Sequence, residues 1–166
     1  MMKSLLTVLV AASLTIISAH AKTMKVPSDE FAIASISIPD DWDVDEEVNN
    51  GVGASSDDGA VYLSCVAVGS DKGMNAELDS TFDMLKEHGV TLDDKSKKEQ
   101  DFKINGMDAH EMIFQGKDED GPASVSICFV PMSDKMLVLT YWVSSEKEKE
   151  HDAEVSKIVS SIKATK

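Results

Sequence analysis

Phe102-Lys103-Ile104-Asn105-Gly106-Met107 places an Asn-Gly pair between two runs that read as strands. A two-residue hairpin turn puts its central residues at positive φ, and Asn and Gly accept that conformation at least cost. The stretch therefore predicts a β-hairpin whose return strand runs from Met107 to Gln115. Two further turn signals follow, at Lys117–Pro122 and Pro131–Lys135, and they bound apolar, β-branched runs over Ala123–Val130 and Met136–Val143. Three turns in succession predict an antiparallel meander.

Upstream, Phe31–Ile38 reads as a strand stopped by Pro39, and Trp42 in the turn that follows suits the edge of a core. Val48–Ala54 and Ala60–Val68 flank Ser55-Ser56-Asp57-Asp58-Gly59, a second hairpin signal. In its second arm Val61, Leu63, Cys65 and Ala67 share one face while Tyr62, Val66 and Val68 share the other, so this strand is expected to be covered on both sides. Asn75 is placed to cap a helix running to His88, with Leu78, Phe82 and Leu85 as its apolar stripe and Gly89 at its end. Lys95–Gln100 is a strongly polar stretch before the Asn-Gly hairpin. Ser145 and Glu148 have the spacing of a capping box, and Val155, Ile158, Val159 and Ile162 fall on one face of a terminal helix. The charged run Glu146–Glu154 reads as that helix's solvated side. The expected class is α+β: an antiparallel sheet flanked by two helices, in three α/β/α layers.

Met1–Ala21 has the form of a secretory signal peptide. Lys3 precedes an apolar run over Leu5–Ile17, and Ala19-His20-Ala21 sets small residues where a signal peptidase cuts, so cleavage is expected after Ala21. Residues 22–30 form a polar lead-in, and residues 31–166 a single domain. The apolar run is short for a membrane span and no second one follows, so no stable membrane anchor is expected after cleavage. The address is periplasmic or secreted.

Among the 166 residues there are 30 acidic side chains against 16 basic ones, a net charge of −14. Every basic residue is Lys, and the leader removes only Lys3, so the exported part is more acidic still. Such a surface repels nucleic acid and anionic membranes, and the absence of Arg removes the fork that grips phosphate in two-point fashion. Cationic partners fit better. Cys65 and Cys128 are too few for a structural zinc site and too far apart in sequence for a CxxC motif. An oxidising compartment permits a disulfide between them, and two buried thiols explain the same pattern. Met74, Met84, Met107, Met112, Met132 and Met136 are not clustered with His and read as core filler rather than a copper site.

At this point the order of elements resembles the PsbP-like family, which includes photosystem II extrinsic subunits, Ran-binding Mog proteins and DcrB-like envelope proteins. The residues that carry the likeness are Ser37-Ile38-Pro39 with Trp42, Ile104-Asn105-Gly106 with Ala109, Tyr141, and Ile158-Val159-Ser160-Ser161-Ile162. The likeness spans Phe31–Ile162. It implies a mixed α/β sandwich used as a binding or assembly module outside the cytoplasm, with no family-wide catalytic residue. The ion-retaining and GTPase-binding roles known in the family have no residue-by-residue match here.

No HExxH, GxSxG or glycine-rich phosphate loop occurs. His88 suits a helix C-terminus, His151 reads as surface, and His110 shares a strand face with Met112 and Phe114. Two acidic turns carry the weak metal candidates Asp57, Asp58, Asp118 and Asp120. Clustered carboxylates there could serve calcium, while Asp and Gly are also what tight turns require. The expected function is an exported, non-catalytic binding module for a protein partner in the envelope or outside the cell, without a cofactor. A calcium-binding protein is the alternative, and a hydrolase centred on His110 the third reading.

Overall fold

The computed structural model describes residues 20–69 and 73–165, so the expected leader lies outside it except for His20 and Ala21. In chain order the elements are β1 (Ala21–Val26), β2 (Ala34–Pro39), β3 (Asp43–Asp45), β4 (Gly51–Ser55), β5 (Val61–Gly69), α1 (Gly73–Glu87), β6 (Thr91–Ile104), β7 (Met107–Lys117), β8 (Pro122–Pro131), β9 (Lys135–Ser144), α2 (Glu148–Ser160) and β10 (Lys163–Ala164).

The meander forms as the turns require. Asn105 and Gly106 take φ of 48° and 85°, and this two-residue turn sets Ile104 opposite Met107. The main sheet has seven strands in the order β3-β4-β5-β9-β8-β7-β6, and every pairing in it is antiparallel. β9 closes the meander onto β5, so the long buried strands lie at the centre. The polar stretch Lys95–Gln100 belongs to β6, an edge strand whose register shifts between Asp93 and Lys98. Charge and a bulge are common protections for an exposed edge.

Both faces of the central strands are apolar, and each carries its own core. Leu85 of α1 is buried beside Met112, Phe114, Ile127 and Val138, and Phe82 meets Phe114 edge to face at 5.8 Å. On the other face Leu63, Cys65, Cys128, Leu137 and Leu139 pack with Val155 and Ile158 of α2, with Ile162, and with Ile36 and Ile38 of β2. Burying the three aliphatic side chains of the α2 segment contributes on the order of 5 kcal/mol.

The antiparallel α+β class with two helices is as the sequence predicts. The α/β/α layering differs, because the layer opposite α1 is shared between α2 and a separate three-stranded sheet, β1-β2-β10. Residues 22–30, expected as a polar lead-in, begin with β1, whose Val26 is fully buried. α1 starts at Gly73, so Asn75 lies inside the helix instead of capping it. The capping box does not form: Lys147 is the N-cap of α2 with no side-chain bond, and the Ser145 N–H donates to the Pro122 carbonyl.

Candidate functional site

β7 turns Ala109, Glu111 and Ile113 toward α2 and His110, Met112 and Phe114 toward α1. Glu111 is 7% exposed. Gln100 lies directly opposite it on β6, and its Nε2 donates to Oε2 at 2.5 Å. The Ser126 hydroxyl of β8 donates to Oε1, and the Tyr141 hydroxyl of β9 reaches the same oxygen at 3.5 Å. A polar row thus crosses four adjacent strands of an otherwise apolar face. Burial pushes the Tyr141 phenol up to about 12, so it remains a donor at neutral pH.

The row forms the floor of an open groove of about 330 Å³ between the sheet and α2. Phe102, Ile113, Val143, Val155 and Val159 supply apolar walls, and Ser156 and Ser160 line it from the helix. A buried carboxylate already held by donors offers its remaining lone pairs to an incoming N–H or O–H group, while the walls accept apolar surface. Such an arrangement has the chemistry to recognise and orient a ligand.

A tie at the start of α2, through His151, borders the groove. His151 was expected at the surface, but its side chain is only 14% exposed. Its Nε2 meets Asp58 Oδ2 at 3.1 Å and its Nδ1 meets Glu154 Oε2 at 3.1 Å. Burial pulls the imidazole pKa down, but the hydrogen bonds and charges of Glu154 and Asp58 outweigh it, and the net shift is upward. Asp58 is lowered to about 2, first by the Ser56 hydroxyl, then by the Ala60 N–H and by His151. At the other end of α2, Asn105 Nδ2 donates to the carbonyls of Ser160 and Ile162, each at 2.7 Å. The hairpin turn that sets the sheet register therefore also fixes the helix end.

The residues singled out from sequence are dispersed. Asp57 is exposed, and Asp58 is bonded within its turn and to His151. Asp118 accepts from the N–H groups of Asp120 and Gly121. Among the described residues no three His, Cys, Asp or Glu side chains come together as a metal ion would need. His110 Nδ1 meets the exposed Asp101 at 2.8 Å across the β6–β7 pair, on the α1 side. Cys65 and Cys128 are free and buried, the second of the two arrangements the sequence leaves open. Leu139 of β9 stands between them in register, and two strand spacings, about 9–10 Å, exceed what a disulfide spans.

Sequence reasoning missed Gln100, Glu111, Ser126 and Tyr141 as a group. Part of the signal was present: a two-residue turn at Asn105-Gly106 puts Gln100 opposite Glu111, whereas Ser126, paired with Tyr141, stands opposite Ile113 and reaches Glu111 diagonally.

Among solved structures, the chain is similar to the cyanobacterial PsbP protein (CyanoP) of Synechocystis, with a TM-score of 0.59 at 10% identity over 91% of this chain and 96% of that one. The chain has the PsbP-like fold. The chain is also similar to LpqN, involved in cell envelope biogenesis of Mycobacterium tuberculosis, with a TM-score of 0.51 at 16% identity over 89% and 92% of the two chains. A protein of Bacteroides thetaiotaomicron aligns with a TM-score of 0.53 at 14% identity. There the match covers 80% of this chain but only 45% of that protein's length. No protein-family model and no curated protein matches the sequence. Among the described residues no helix is long and apolar enough to cross a membrane.

Proposed function

We propose that this PsbP-like chain is an exported, non-catalytic binding module that supports a protein partner in the cell envelope, using the groove between α2 and the seven-stranded sheet. The observation that carries the reading is the Glu111 row on the groove floor. Glu111 is buried, bonded to side chains on β6, β8 and β9 and open toward α2, which suits a preformed recognition surface. The acidic balance of the chain, −14 overall, favours a partner segment rich in Lys or in amide donors. Export rests on the leader read over Met1–Ala21, and the envelope setting is supported by the likeness to LpqN.

The experiment is a quantitative capture from the envelope fraction of the native host, comparing the exported chain with its S156W variant. Ser156 is exposed and lines the groove, so a Trp there fills the groove without disturbing the core. A control K149W variant places the same bulk on α2 away from the groove. The proposal expects one specific partner to be retained by wild type and K149W and lost by S156W. Equal retention by all three, or no specific partner, would contradict it.

A further inference from the structure

A second cavity, of about 420 Å³, lies on the opposite face of the sheet, beneath α1. Its floor contains Ser64 of β5 and Thr140 of β9, which stand directly opposite each other in register and are 5% and 1% exposed. The neighbouring positions on that face are Tyr62, Val66, Val138 and Trp142, so the hydroxyl pair interrupts an apolar surface. Above it Glu77 of α1 lines the cavity and is 8% exposed. The backbone carbonyl of Glu77 accepts from Thr81 Oγ1, but its carboxylate has no hydrogen-bond or ion-pair partner among the described residues. No fully buried side-chain oxygen among the described residues lacks a partner, so the Glu77 oxygens touch the solvent of the cavity and are free to accept from a donor that enters it.

The surroundings define the sign and type of that ligand. Asp45, Glu47 and Glu87 also line the cavity, and no Lys does among the described residues, so an anion is repelled. A bare metal ion lacks the ligand cluster it would need. One wall is aromatic and fixed in place: the Tyr62 ring stacks on Trp142 at 4.5 Å, His88 packs against both, and the Tyr62 hydroxyl donates to Asp45 at 3.0 Å. An ammonium group has three N–H donors, and aromatic faces accept its positive charge and alkyl stem.

We propose that this cavity binds a primary alkylammonium group, whose three N–H donors are taken by the Glu77 carboxylate and the Ser64 and Thr140 hydroxyls, with its stem against Tyr62. The site is independent of the α2 groove, because Thr140 and Tyr141 point to opposite faces of β9.

The test is a titration of the ¹⁵N-labelled full exported chain with butylammonium chloride at constant ionic strength, followed by amide shifts. Saturable shifts centred on Ser64, Glu77 and Thr140 are expected. E77Q should weaken binding by about tenfold or more, the factor that loss of a charge-assisted hydrogen bond brings. T140V, which keeps the shape of the floor, should weaken it less. Tetramethylammonium, with the same charge and no N–H donor, should bind clearly more weakly than butylammonium. A Gly-Lys-Gly peptide carries the same ammonium group on a lysine: the tighter of the two ligands identifies a free amine or a lysine side chain as the source, and binding of either at this site supports the proposal. Absence of saturable shifts at millimolar ligand, shifts spread over the acidic surface, equal binding by E77Q, or equal binding of tetramethylammonium would each overturn it.

Discussion

Replacing Glu111 by Ala tests whether the polar row on the groove floor is a bonded unit. Glu111 is 7% exposed and Ser126 3% exposed, whereas Gln100 is reached by solvent. E111A therefore strands the Ser126 hydroxyl but lets water rehydrate Gln100. Hydrogen bonds to a charged acceptor contribute roughly 1.5–3 kcal/mol each, and a buried donor left unpaired costs about 1–3 kcal/mol. Part of this loss is offset, because Ala removes the cost of holding a carboxylate away from water, and the open groove gives the stranded hydroxyl some access to solvent. The net expectation is a loss of about 2–3 kcal/mol, which for a domain of this size lowers the melting temperature by about 5–10 °C. E111Q keeps an acceptor and the side-chain shape and should lose about 1 kcal/mol. The assay is urea unfolding of wild type, E111A, S126A and the double variant, with the coupling energy between the two sites expected at about 1–2 kcal/mol. E111A within about 0.5 kcal/mol of wild type, or zero coupling, would refute the reasoning, since both results mean that the row contributes no more than scattered surface polarity.

Three further outcomes follow from the same geometry. The His151 pKa is raised, so its contribution is complete below its unfolded value near 6.5 and is lost as pH rises through the folded value; that of Asp58, lowered to about 2, is complete above 3.8 and is lost as pH falls toward about 2. Because Asp58 is largely exposed and screened, unfolding curves should show a stability plateau between about pH 4 and 6.5 with a fall on each side attributable to this tie of on the order of 0.5–1 kcal/mol, and D58N should flatten that component. Cys65 and Cys128 have thiols pushed up to about 12 by burial, so a thiol reagent at pH 8 should label neither in the native protein and both after denaturation, with no change in mass on reduction. Asn105 combines a φ of 48° with two hydrogen bonds to the end of α2; N105A should cost about 2 kcal/mol and N105G, which keeps the backbone relaxed, about 1 kcal/mol, as read by thermal melts.

The parts of the fold that were legible in the sequence are those with a local physical cause. Asn105-Gly106 demands two positive φ values, and Val155, Ile158 and Ile162 need a common buried face; both signals predict what forms. β10 is too short to carry a periodicity, and β1 is mostly exposed, so the small sheet was hidden from pattern reasoning. The Ser145/Glu148 signal failed because the Ser145 N–H is drawn to the Pro122 carbonyl, a contact that exists only once β8 and β9 are paired. His151 read as surface because its partner Asp58 lies 93 residues away in sequence. The Glu111 row was derivable in part, by counting outward from the two-residue turn, but whether its face was covered by a helix or left to solvent depended on where α2 docks.

The most direct test of the binding-module account is site-specific photo-crosslinking of the exported chain in the intact envelope of its native host. A photoreactive side chain at Ser156 samples the groove, and one at Lys149 samples the same helix away from it. The account predicts a discrete adduct to one partner from position 156 that is absent from position 149. Adducts of equal yield from both positions, or none from position 156, would contradict it.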